Sequence, residues 1–487
     1  MTYRNSHTGA AGSQNRGVDL VIDLAGTGEK TVLVYRALRA AIVDGRLPCG
    51  HRLPPSRALA ADLGVARGSV ATAYERLAAE GFLTTRVGSG TFVADVPELQ
   101  RPRRHPADPL RPRAGWSFDP VATSGEEATP RYDFRAGIPD ATLFPFDTWR
   151  RLVSAELRLR ANGPGTYAAP AGHPALRAAI ARSLGYGRSV RATADDVVVT
   201  NGTQHALDLI GRVLLRPGDV VAVEEPGYPP ARRLFGSAGA RVVGVPVDED
   251  GLVVSALPGN ARLVYTTPSH QFPLGGAMSL DRRRELLDWA RSRPAAIVED
   301  DYDSEFRFSA RPLEPLYSLD TVGRVLYVGT FSKSMLPMIR TGFALLPPGL
   351  RGAVTAARQL SDGYGQVAVQ AALARFIDDG QLARHVRRAQ KAYAERRARI
   401  LAALAATPAL RVLPSVAGLH VTALLRDGSR ARAARVSSAA AAVGLAVEDV
   451  ARYAADESTQ AAGFVFGFGA ADPALVDEGL ALFARLL

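Results

Sequence analysis

The sequence predicts a multidomain chain: a small helical domain ending in a β-hairpin, a large α/β domain with a mainly parallel sheet, and a smaller C-terminal α+β lobe. Three observations predict it. Residues 20–95 are compact and periodic, and residues 96–130 form a linker rich in proline and arginine. Residues 131–487 alternate strand-like apolar runs with amphipathic segments of helix length, as in sheets covered by helices on both faces.

Composition narrows the class of protein. Hydrophobic residues make up 47% and charged residues 22% of the 487 residues, which is typical of a globular protein. Cys49 is the only cysteine, no apolar run approaches about 18 residues, and the first residues do not resemble a signal peptide. We therefore predict a cytoplasmic protein that does not span a membrane. The net charge of +11 suits nucleic acid as a partner, although the arginine content could equally reflect a GC-rich genome.

The sequence of the first domain predicts three helices followed by a hairpin. Apolar spacing and the glycines that follow each segment predict three helices and then two strands, over residues 32–44, 57–63, 67–80, 82–86 and 91–94. Ser56 is the predicted cap of the second helix. Two short helices joined by a tight turn at Gly64 are typical of a helix-turn-helix, and the hairpin is its wing. The third helix has an apolar stripe, with Tyr74 predicted in the core, and a polar face.

Residues 37–93, from "ALRAAIVDGRLPCG" to "VGSGTFV", resemble the GntR class of winged-helix regulators over nearly the whole domain. The resemblance implies double-stranded operator DNA as a partner. The side chains of the third helix would enter the major groove, and the wing would lie along the backbone. The implied DNA contacts are Arg57, Arg67, Ser69, Arg86, Gly88 and Ser89.

Three segments of the α/β region carry groups that suit pyridoxal phosphate (PLP), which needs a lysine, an acid at the ring nitrogen, a donor to the ring oxygen and a phosphate cup. Lys333 follows an apolar strand in "VGTFSK". Asp300 and Tyr302, two apart at the end of another predicted strand, would point the same way. The turn from Thr200 to Gln204 opens a helix and could hold an anion. The acidic cluster could instead be a solvated turn or a metal site, but a metal would want further His or Asp ligands, so we predict no metal.

Residues 132–487 resemble the fold-type I aminotransferases, and more closely the MocR/GabR family, in which such a PLP domain is fused to a GntR-class domain. The most specific segments are "FRAGIPDATLFPFDTWRR", "TPSHQFPLGGAMS", "EDDYDSEFRF" and "GTFSKSMLPMIRTGF". The resemblance implies Lys333 as the internal aldimine, Asp300 at the pyridine nitrogen and Tyr302 at the ring oxygen. The other implied cofactor contacts are Gly202, Thr203, Gln204, Tyr228, Thr330, Ser332 and Arg340, with Tyr167 reaching in from the other subunit of a homodimer.

Two positions depart from related families. Phe272 stands where ordinary aminotransferases have an asparagine that donates to the ring oxygen. Pro230 stands where the GABA-responsive members have an arginine, which argues against GABA as the effector. Arg452 is a candidate for binding a substrate carboxylate, and an ordinary surface arginine is an equal alternative.

The sequence favours a PLP-dependent transcriptional regulator that senses PLP or an amino compound through an aldimine at Lys333. The alternative is a class I/II aminotransferase with an appended DNA-binding domain, and whether transamination occurs stays open. A third reading, an inert dimerisation scaffold, is less favoured because Lys333, Asp300, Tyr302 and Arg340 are all present. The effector, the operator sequence and the sign of regulation are not predicted.

Overall fold

The computed structural model describes residues 2–3, 20–21, 29–86, 88–95, 116, 118, 130–158, 167–308, 314–455 and 461–487. The chain divides into two compact units, Met1–Gly115 and Trp116–Leu487. The predicted linker, residues 96–130, lies outside the described residues except for Trp116, Phe118 and Pro130. The boundaries at residues 20, 95 and 131 therefore stay predictions.

The described residues of the first unit form three helices and two antiparallel strand pairs. Its elements are β1 (Thr2–Tyr3), β2 (Leu20–Val21), α1 (Lys30–Val43), α2 (Ser56–Leu63), α3 (Arg67–Ala79), β3 (Leu83–Arg86) and β4 (Gly90–Val93). Strands β1 and β2 pair antiparallel, as do β3 and β4. The three predicted helices and the wing are present, with ends shifted by a few residues.

One core joins the three helices and the wing. Val34, Leu38, Val70 and Leu77 have no exposed surface, and Tyr74 is buried beside them, as the apolar stripe of α3 predicts. The Tyr74 hydroxyl donates to the Pro54 carbonyl oxygen at 2.9 Å, so its polar end is satisfied. Burying the apolar faces of α1 and α3 leaves their polar faces to solvent.

The predicted capping role of Ser56 is wrong. Ser56 is the first residue of α2, Pro55 occupies the N-cap position, and no side chain caps the helix. The Pro55 carbonyl oxygen accepts from Ala58 N at 2.8 Å and Leu59 N at 3.1 Å. Because the proline ring fixes φ and its carbonyl accepts the first helical bonds, the helix begins one residue earlier than the sequence suggests.

An eight-stranded sheet forms the centre of the second unit. Its strands in chain order are β6 (Val197–Thr200), β7 (Val220–Glu225), β8 (Arg241–Asp248), β9 (Gly251–Leu252), β10 (Ala261–Thr266), β11 (Ala296–Asp301), β12 (Val325–Thr330) and β13 (Gly342–Leu345). In space the order is β6, β13, β12, β11, β10, β7, β8, β9. The pairings among β8, β7, β10, β11 and β12 are parallel, as predicted, whereas β13 is antiparallel to both β12 and β6. Strand β13 was not predicted from the sequence.

Helices pack on both faces of this sheet. Those before the small lobe are α4 (Phe146–Glu156), α5 (Pro174–Arg188), α6 (Thr203–Leu214), α7 (Pro229–Ser237), α8 (Leu280–Arg291), α9 (Leu316–Leu319), α10 (Pro348–Ser361) and α11 (Val367–Asp378). Val197 and Val199 pack with α4, α5 and α11, whereas Val198 packs with α6, α7 and α10. This alternation along β6 is expected for a strand buried on both faces.

The smaller lobe combines a second sheet with three helices. Its elements are β5 (Tyr132–Asp133), α12 (Gln381–Ala405), β14 (Leu410–Val412), β15 (His420–Leu425), α13 (Arg430–Ala442), β16 (Leu445–Ala446), β17 (Glu448–Asp449), β18 (Gly463–Gly467) and α14 (Val476–Leu486). Strands β14, β15, β18 and β17 form an antiparallel sheet in that order, and β16 pairs parallel with β5.

Residues 366–406 have a continuous helical pattern in the sequence, which predicts one long helical stretch, but this prediction of an uninterrupted helix is wrong. The structure divides it into α11 and α12 at Gly380, whose φ of 69° lies in the left-handed region. A glycine adopts that conformation without a steric penalty, so it allows the chain to turn from the large sheet into the small lobe. Among the described residues, no helix combines the length and apolar character needed to cross a bilayer.

Candidate functional site

A cavity of about 910 Å³ lies at the carboxyl ends of the parallel strands of the second unit. Ligands in open α/β sheets bind at this edge, because loops from several strands meet there. The lining includes most of the predicted cofactor residues: Thr203, Gln204, Tyr228, Asp300, Tyr302, Thr330, Ser332, Lys333 and Arg340. Residues far apart in the sequence thus meet in one cavity.

Lys333 follows β12 and extends into the cavity. Its Nζ donates to the Gly137 carbonyl oxygen at 2.7 Å. Burial lowers the pKa of Lys333 below its ordinary value, opposed by the charges of Asp303 and Asp300. A lower pKa increases the share of neutral amine, which is the nucleophilic form. The position therefore suits an amine that attacks an aldehyde.

Asp300, at the end of β11, has one satisfied and one unsatisfied oxygen. Oδ2 accepts a hydrogen bond from Tyr265 Oη at 2.7 Å, whereas the buried Oδ1 has no hydrogen-bond partner among the described residues. Burial raises the pKa of Asp300 to about 7, although the Tyr265 hydrogen bond acts in the opposite direction. A cationic N–H donor at Oδ1 would offset the desolvation and stabilise the charged carboxylate.

Tyr302 lines the cavity beside Asp300, but it does not lie on the same strand. Strand β11 ends at Asp301, and the chain turns so that Phe306 N donates to the Asp303 carbonyl oxygen at 3.1 Å. The prediction that both residues project from one strand is wrong in this detail. The Tyr302 hydroxyl donates to the His270 carbonyl oxygen at 3.0 Å and lies 3.1 Å from His270 Nδ1.

The opposite end of the site has the features of an anion cup. Gly202, with φ of 82°, precedes α6, so the first amides of that helix point to one spot. A Cβ on Gly202 would lie 3.6 Å from the Arg340 guanidinium, which shows that the cation and the turn are adjacent. Arg340 donates to the Asn201 carbonyl oxygen at 2.9 Å, and Ser332 N donates to Thr330 Oγ1 at 3.1 Å.

Aromatic side chains form one wall. The Tyr228 ring lies stacked 6.5 Å from Tyr265 and edge-on 5.9 Å from Phe272, measured between centroids. Burial raises the pKa of Tyr228 to about 12, so its phenol stays protonated at neutral pH. Arg452 and Pro230 also line the cavity. Arg452 lies 3.5 Å from Glu448, and 65% of its side chain is exposed.

Tyr167 does not contribute to the cavity of its own chain. Its side chain is 92% exposed, and its ring lies 6.2 Å from that of Tyr364. The predicted role was a contact from the other subunit, so its position in a single chain does not test that role.

The sequence did not point to Gly137, Tyr265 or Glu448. Tyr265 lies near the end of β10, next to the strand of Asp300, so the rule that carboxyl ends of parallel strands meet could have identified it. Gly137 accepts from Lys333, and a Cβ there would lie 2.7 Å from Nζ. Glu448 comes from the small lobe, and no local pattern marks it.

The predicted DNA-contacting residues lie on α2, α3 and the wing of the first unit. Arg57, Arg67 and Arg86 are exposed, as are Gly88 and Ser89 in the hairpin turn, while Ser69 is half-buried. The Arg86 guanidinium lies over the Phe92 ring at 5.3 Å. Arg76, further along α3, is held by Glu80 at 3.0 Å and lies over the Tyr35 ring at 4.0 Å. The exposed arginines and the wing form a surface that could contact phosphates.

Comparison with known proteins identifies the combination of units. The sequence model of "Bacterial regulatory proteins, gntR family" matches residues 30–93, and that of "Aminotransferase class I and II" matches residues 141–456. The chain is 42% identical over 368 residues to the probable rhizopine catabolism regulatory protein MocR of Rhizobium meliloti, with 74% of each chain covered. The chain belongs to the MocR subtype of the GntR-family regulators.

A second MocR-type regulator and a solved aminotransferase structure are also similar to this chain. The pyridoxine biosynthesis transcriptional regulator PdxR of Corynebacterium glutamicum is 34% identical over 436 residues, covering 89% of this chain and 91% of that one. The crystal structure of Pyrococcus horikoshii kynurenine aminotransferase superposes with a TM-score of 0.68 at 29% identity, covering 74% of this chain and 91% of that chain.

Membership of the MocR subtype confirms three sequence predictions: the resemblance, the fold class and the function of a transcriptional regulator with an aminotransferase-like domain. It does not favour the alternative of an aminotransferase with an appended domain. The GntR domain implies DNA binding, and the aminotransferase fold implies PLP binding.

Proposed function

We propose that this MocR-type regulator binds operator DNA through its winged helix and uses the cavity of its aminotransferase-like domain as a PLP-dependent sensor. The observation that carries the proposal is the orphaned Asp300 Oδ1, buried in the cavity that Lys333 enters. A buried carboxylate oxygen without a partner is costly, so it calls for a ligand with a positive ring nitrogen.

The residues of the cavity fit PLP from end to end. Bound PLP supplies an aldehyde carbon that forms a covalent bond with a primary amine. Lys333 would provide that amine, Asp300 would hold the ring nitrogen in its protonated form, and Tyr302 would donate to the ring oxygen. Tyr228 would flank the ring. The phosphate would be held by Gly202, Thr203, Gln204, Thr330, Ser332 and Arg340.

Asp300 also links cofactor binding to proton release. With a pKa of about 7 in the cofactor-free cavity, the carboxyl is about half protonated at neutral pH. A positive ring nitrogen favours the charged form and lowers that pKa, so binding displaces the proton near pH 7. The affinity gained from this pair is complete above the cofactor-free pKa of about 7, decreases as the pH falls below it, and is lost once the pH is below the lowered pKa.

We further propose a cytoplasmic homodimer. The resemblance to fold-type I aminotransferases places Tyr167 at the cofactor of the other subunit, and its side chain is almost fully exposed in one chain, so it is accessible for that contact. In a dimer, Tyr167 of each chain would contact the phosphate in the other, and the two winged helices would meet paired half-sites on DNA. The proposed effector is PLP itself or an amino compound, and Arg452, which lines the cavity, would meet the carboxylate of an amino acid.

We predict different effects for two arginines on the DNA-binding surface. Arg67→Ala is expected to cost about 1–3 kcal/mol of operator affinity and to relax sequence preference, because it removes a base contact. Arg86→Ala is expected to weaken all sequences alike, because it removes a phosphate contact. Both affinities are measured at several salt concentrations on operator and scrambled DNA.

Arg46→Ala serves as the control for that experiment, because Arg46 belongs to the same unit but pairs with Asp44 at 3.2 Å outside the predicted surface. Equal losses on operator and scrambled DNA for Arg67→Ala would contradict base readout. An equally large loss of DNA affinity in Arg46→Ala would show that the losses come from net charge and not from specific contacts.

We also predict that ligand occupancy of the cavity changes operator affinity. If the effector is PLP, the apo and holo proteins should differ by about 1–3 kcal/mol, the range of typical allosteric coupling. If the effector is an amino compound, the operator affinity of holo protein should change only when that compound is added. A ligand shifts an equilibrium between two conformations only if it binds them with different affinity. The measurement is operator binding by apo protein, holo protein and holo protein with a panel of amines, alongside transamination turnover. Rapid multiple turnover in transamination, together with an operator affinity that no ligand changes, would contradict the regulatory function.

A further inference from the structure

Tyr302 is supported from the protein interior by a buried histidine and aspartate that do not line the cavity. His270, in the turn after β10, and Asp303, just after β11, are each about 1% exposed. His270 Nδ1 lies 3.1 Å from Tyr302 Oη and 3.1 Å from both oxygens of Asp303. One imidazole edge thus contacts both the phenol and the carboxylate.

The hydrogen bonds restrict which nitrogen of His270 carries the proton and in which direction the Tyr302 hydroxyl donates. A carboxylate only accepts, so Nδ1 carries the proton that it shares with Asp303. With that edge acting as the donor, the Tyr302 hydroxyl donates to the His270 carbonyl oxygen, 3.0 Å away. The phenol oxygen can then accept from Nδ1–H whenever its own proton turns toward a ligand. Main chain and side chain of His270 together hold Oη in one place.

Packing from the small lobe fixes the imidazole. Ser415 Oγ lies 3.2 Å from His270 Nε2. A Cβ on Gly418, whose φ is 81°, would come within 2.0 Å of His270 Cε1. The close approach needs a glycine at this position, and it leaves the imidazole no room to rotate.

Among the described residues, His270 accounts for the hydrogen bonds of the Tyr302 hydroxyl. The nearest aromatic neighbour, Phe272, stands edge-on at 5.9 Å between centroids and has no polar atom in its side chain. Burial raises the pKa of Tyr302 well above its ordinary value, so the phenol stays protonated and able to donate at any pH near neutral. Its usefulness as a donor therefore depends on where its oxygen is held.

We propose that His270, fixed by Asp303, is a positioning residue that holds the Tyr302 hydroxyl for donation to the ring oxygen of the cofactor. The inference rests on the proposed function, since it requires PLP in the cavity. It assigns to His270 and Asp303 a role in tuning the cofactor although neither touches the cavity.

The same cluster has the composition of a metal site. Ligand atoms of His270, Asp303 and His420 all lie within 4.8 Å of one another. They are engaged within the protein, however: His420 Nε2 lies 3.0 Å from the Pro273 carbonyl oxygen, and Asp303 also accepts from Leu419 N at 3.2 Å. Burial lowers the pKa of His420 well below its ordinary value, so this ring is neutral. A metal ion is the competing arrangement, and the test addresses it.

The test compares His270→Leu with His420→Leu in holo protein, in wild-type and Tyr302→Phe backgrounds. His420 is the matched control, because it is equally buried in the same cluster but bonds Pro273 instead of Tyr302. Two readouts are the dissociation constant of PLP and the pH midpoint of the visible absorption. A donor to the ring oxygen competes for that oxygen with the proton that the chromophore holds, so a weaker donor raises the midpoint.

His270→Leu is expected to weaken PLP binding about three- to tenfold and to raise the midpoint by about 0.4–1 pH unit, the range for one hydrogen bond. In the Tyr302→Phe background the same change should have no further effect on the midpoint. His420→Leu should leave the midpoint unchanged. The His270 variants leave the other titratable groups that face Tyr302 and His270 unchanged: Glu224, Asp300, Asp301, Asp303, Lys333 and His420.

Two further variants keep the test decisive if His270→Leu does not fold. His270→Asn keeps an N–H donor near Nδ1 and should stay closer to wild type than leucine, while Asp303→Asn should move the midpoint in the same direction as His270→Leu. A midpoint that none of the His270 and Asp303 variants moves, or that moves equally without the Tyr302 hydroxyl, overturns the inference. So does a stoichiometric metal ion in wild type that both histidine variants lose. Wild-type protein that fails to bind PLP would instead overturn the proposed function.

Discussion

Lys333→Ala is expected to abolish covalent retention of PLP after borohydride reduction, because it removes the one amine that enters the cavity among the described residues. The sequence has three lysines, Lys30, Lys333 and Lys391, so the assignment can be tested completely. The wild type should absorb visible light at about 420 nm, as PLP imines generally do, and should gain one reduced cofactor per chain by mass spectrometry.

Lys391→Ala is the matched control, since Lys391 is exposed on α12 and should keep both the colour and the reduced adduct. Retention of a reduced adduct in Lys333→Ala, at Lys30 or Lys391, would refute the assignment. Lys333→Ala should fold normally, because the Gly137 carbonyl that loses its donor lines the cavity, where water can replace the amine.

Arg283→Leu is expected to destabilise the second unit by about 3–5 kcal/mol, the cost of leaving a buried charge without its partner. Arg283 on α8 and Glu299 on β11 have no exposed side-chain surface and lie 3.7 Å apart. Arg283 also donates to the carbonyl oxygens of Pro268, Met278 and Glu314. Glu299 accepts from Leu316 N at 3.0 Å. Burial already raises the pKa of Glu299 and Arg283 opposes that rise, so without Arg283 the carboxyl either stays charged in an apolar interior or takes up a proton, and both cost stability.

The measurement is the urea midpoint of the unfolding transition that belongs to the second unit, followed in apo protein. The double variant Arg283→Leu with Glu299→Leu should recover part of the loss, because it removes both charges together. A single variant that loses under 1 kcal/mol would mean that water or rearranged backbone groups compensate Glu299.

The helices of the first unit and most strands of the large sheet could be predicted from local patterns. Val197–Thr200 is an apolar run between turn signals, and its bounds match the structure. Strand β13 escaped prediction because "GFAL" is a short apolar run whose pairing with β6 and β12 depends on contacts far away in the chain. Gly380 escaped because a single residue with positive φ breaks a continuous helical pattern.

The candidate site also contains residues that local patterns could predict and partners that they could not. Asp300, Tyr302 and Lys333 follow predicted strands, so their convergence could be foreseen, as could the turn at Gly202. Their hydrogen-bond partners could not. Gly137, Tyr265 and His270 come from separate segments, and only the folded chain shows that Lys333 donates to one, Asp300 accepts from the second and Tyr302 rests on the third.

The strand order has a consequence for how the molecule is made on the ribosome. Strand β6 stands at the edge of the large sheet, and its hydrogen-bonded neighbour is β13. The winged helix, by contrast, has a hydrophobic core drawn from residues 34–93 and can fold as soon as it leaves the exit tunnel. The turn at Gly202 is synthesised early but acquires Arg340 and its sheet neighbour only after residue 345 emerges. A nascent chain therefore carries a finished DNA-binding module long before it carries a finished cofactor site, and pairings this distant in sequence form slowly.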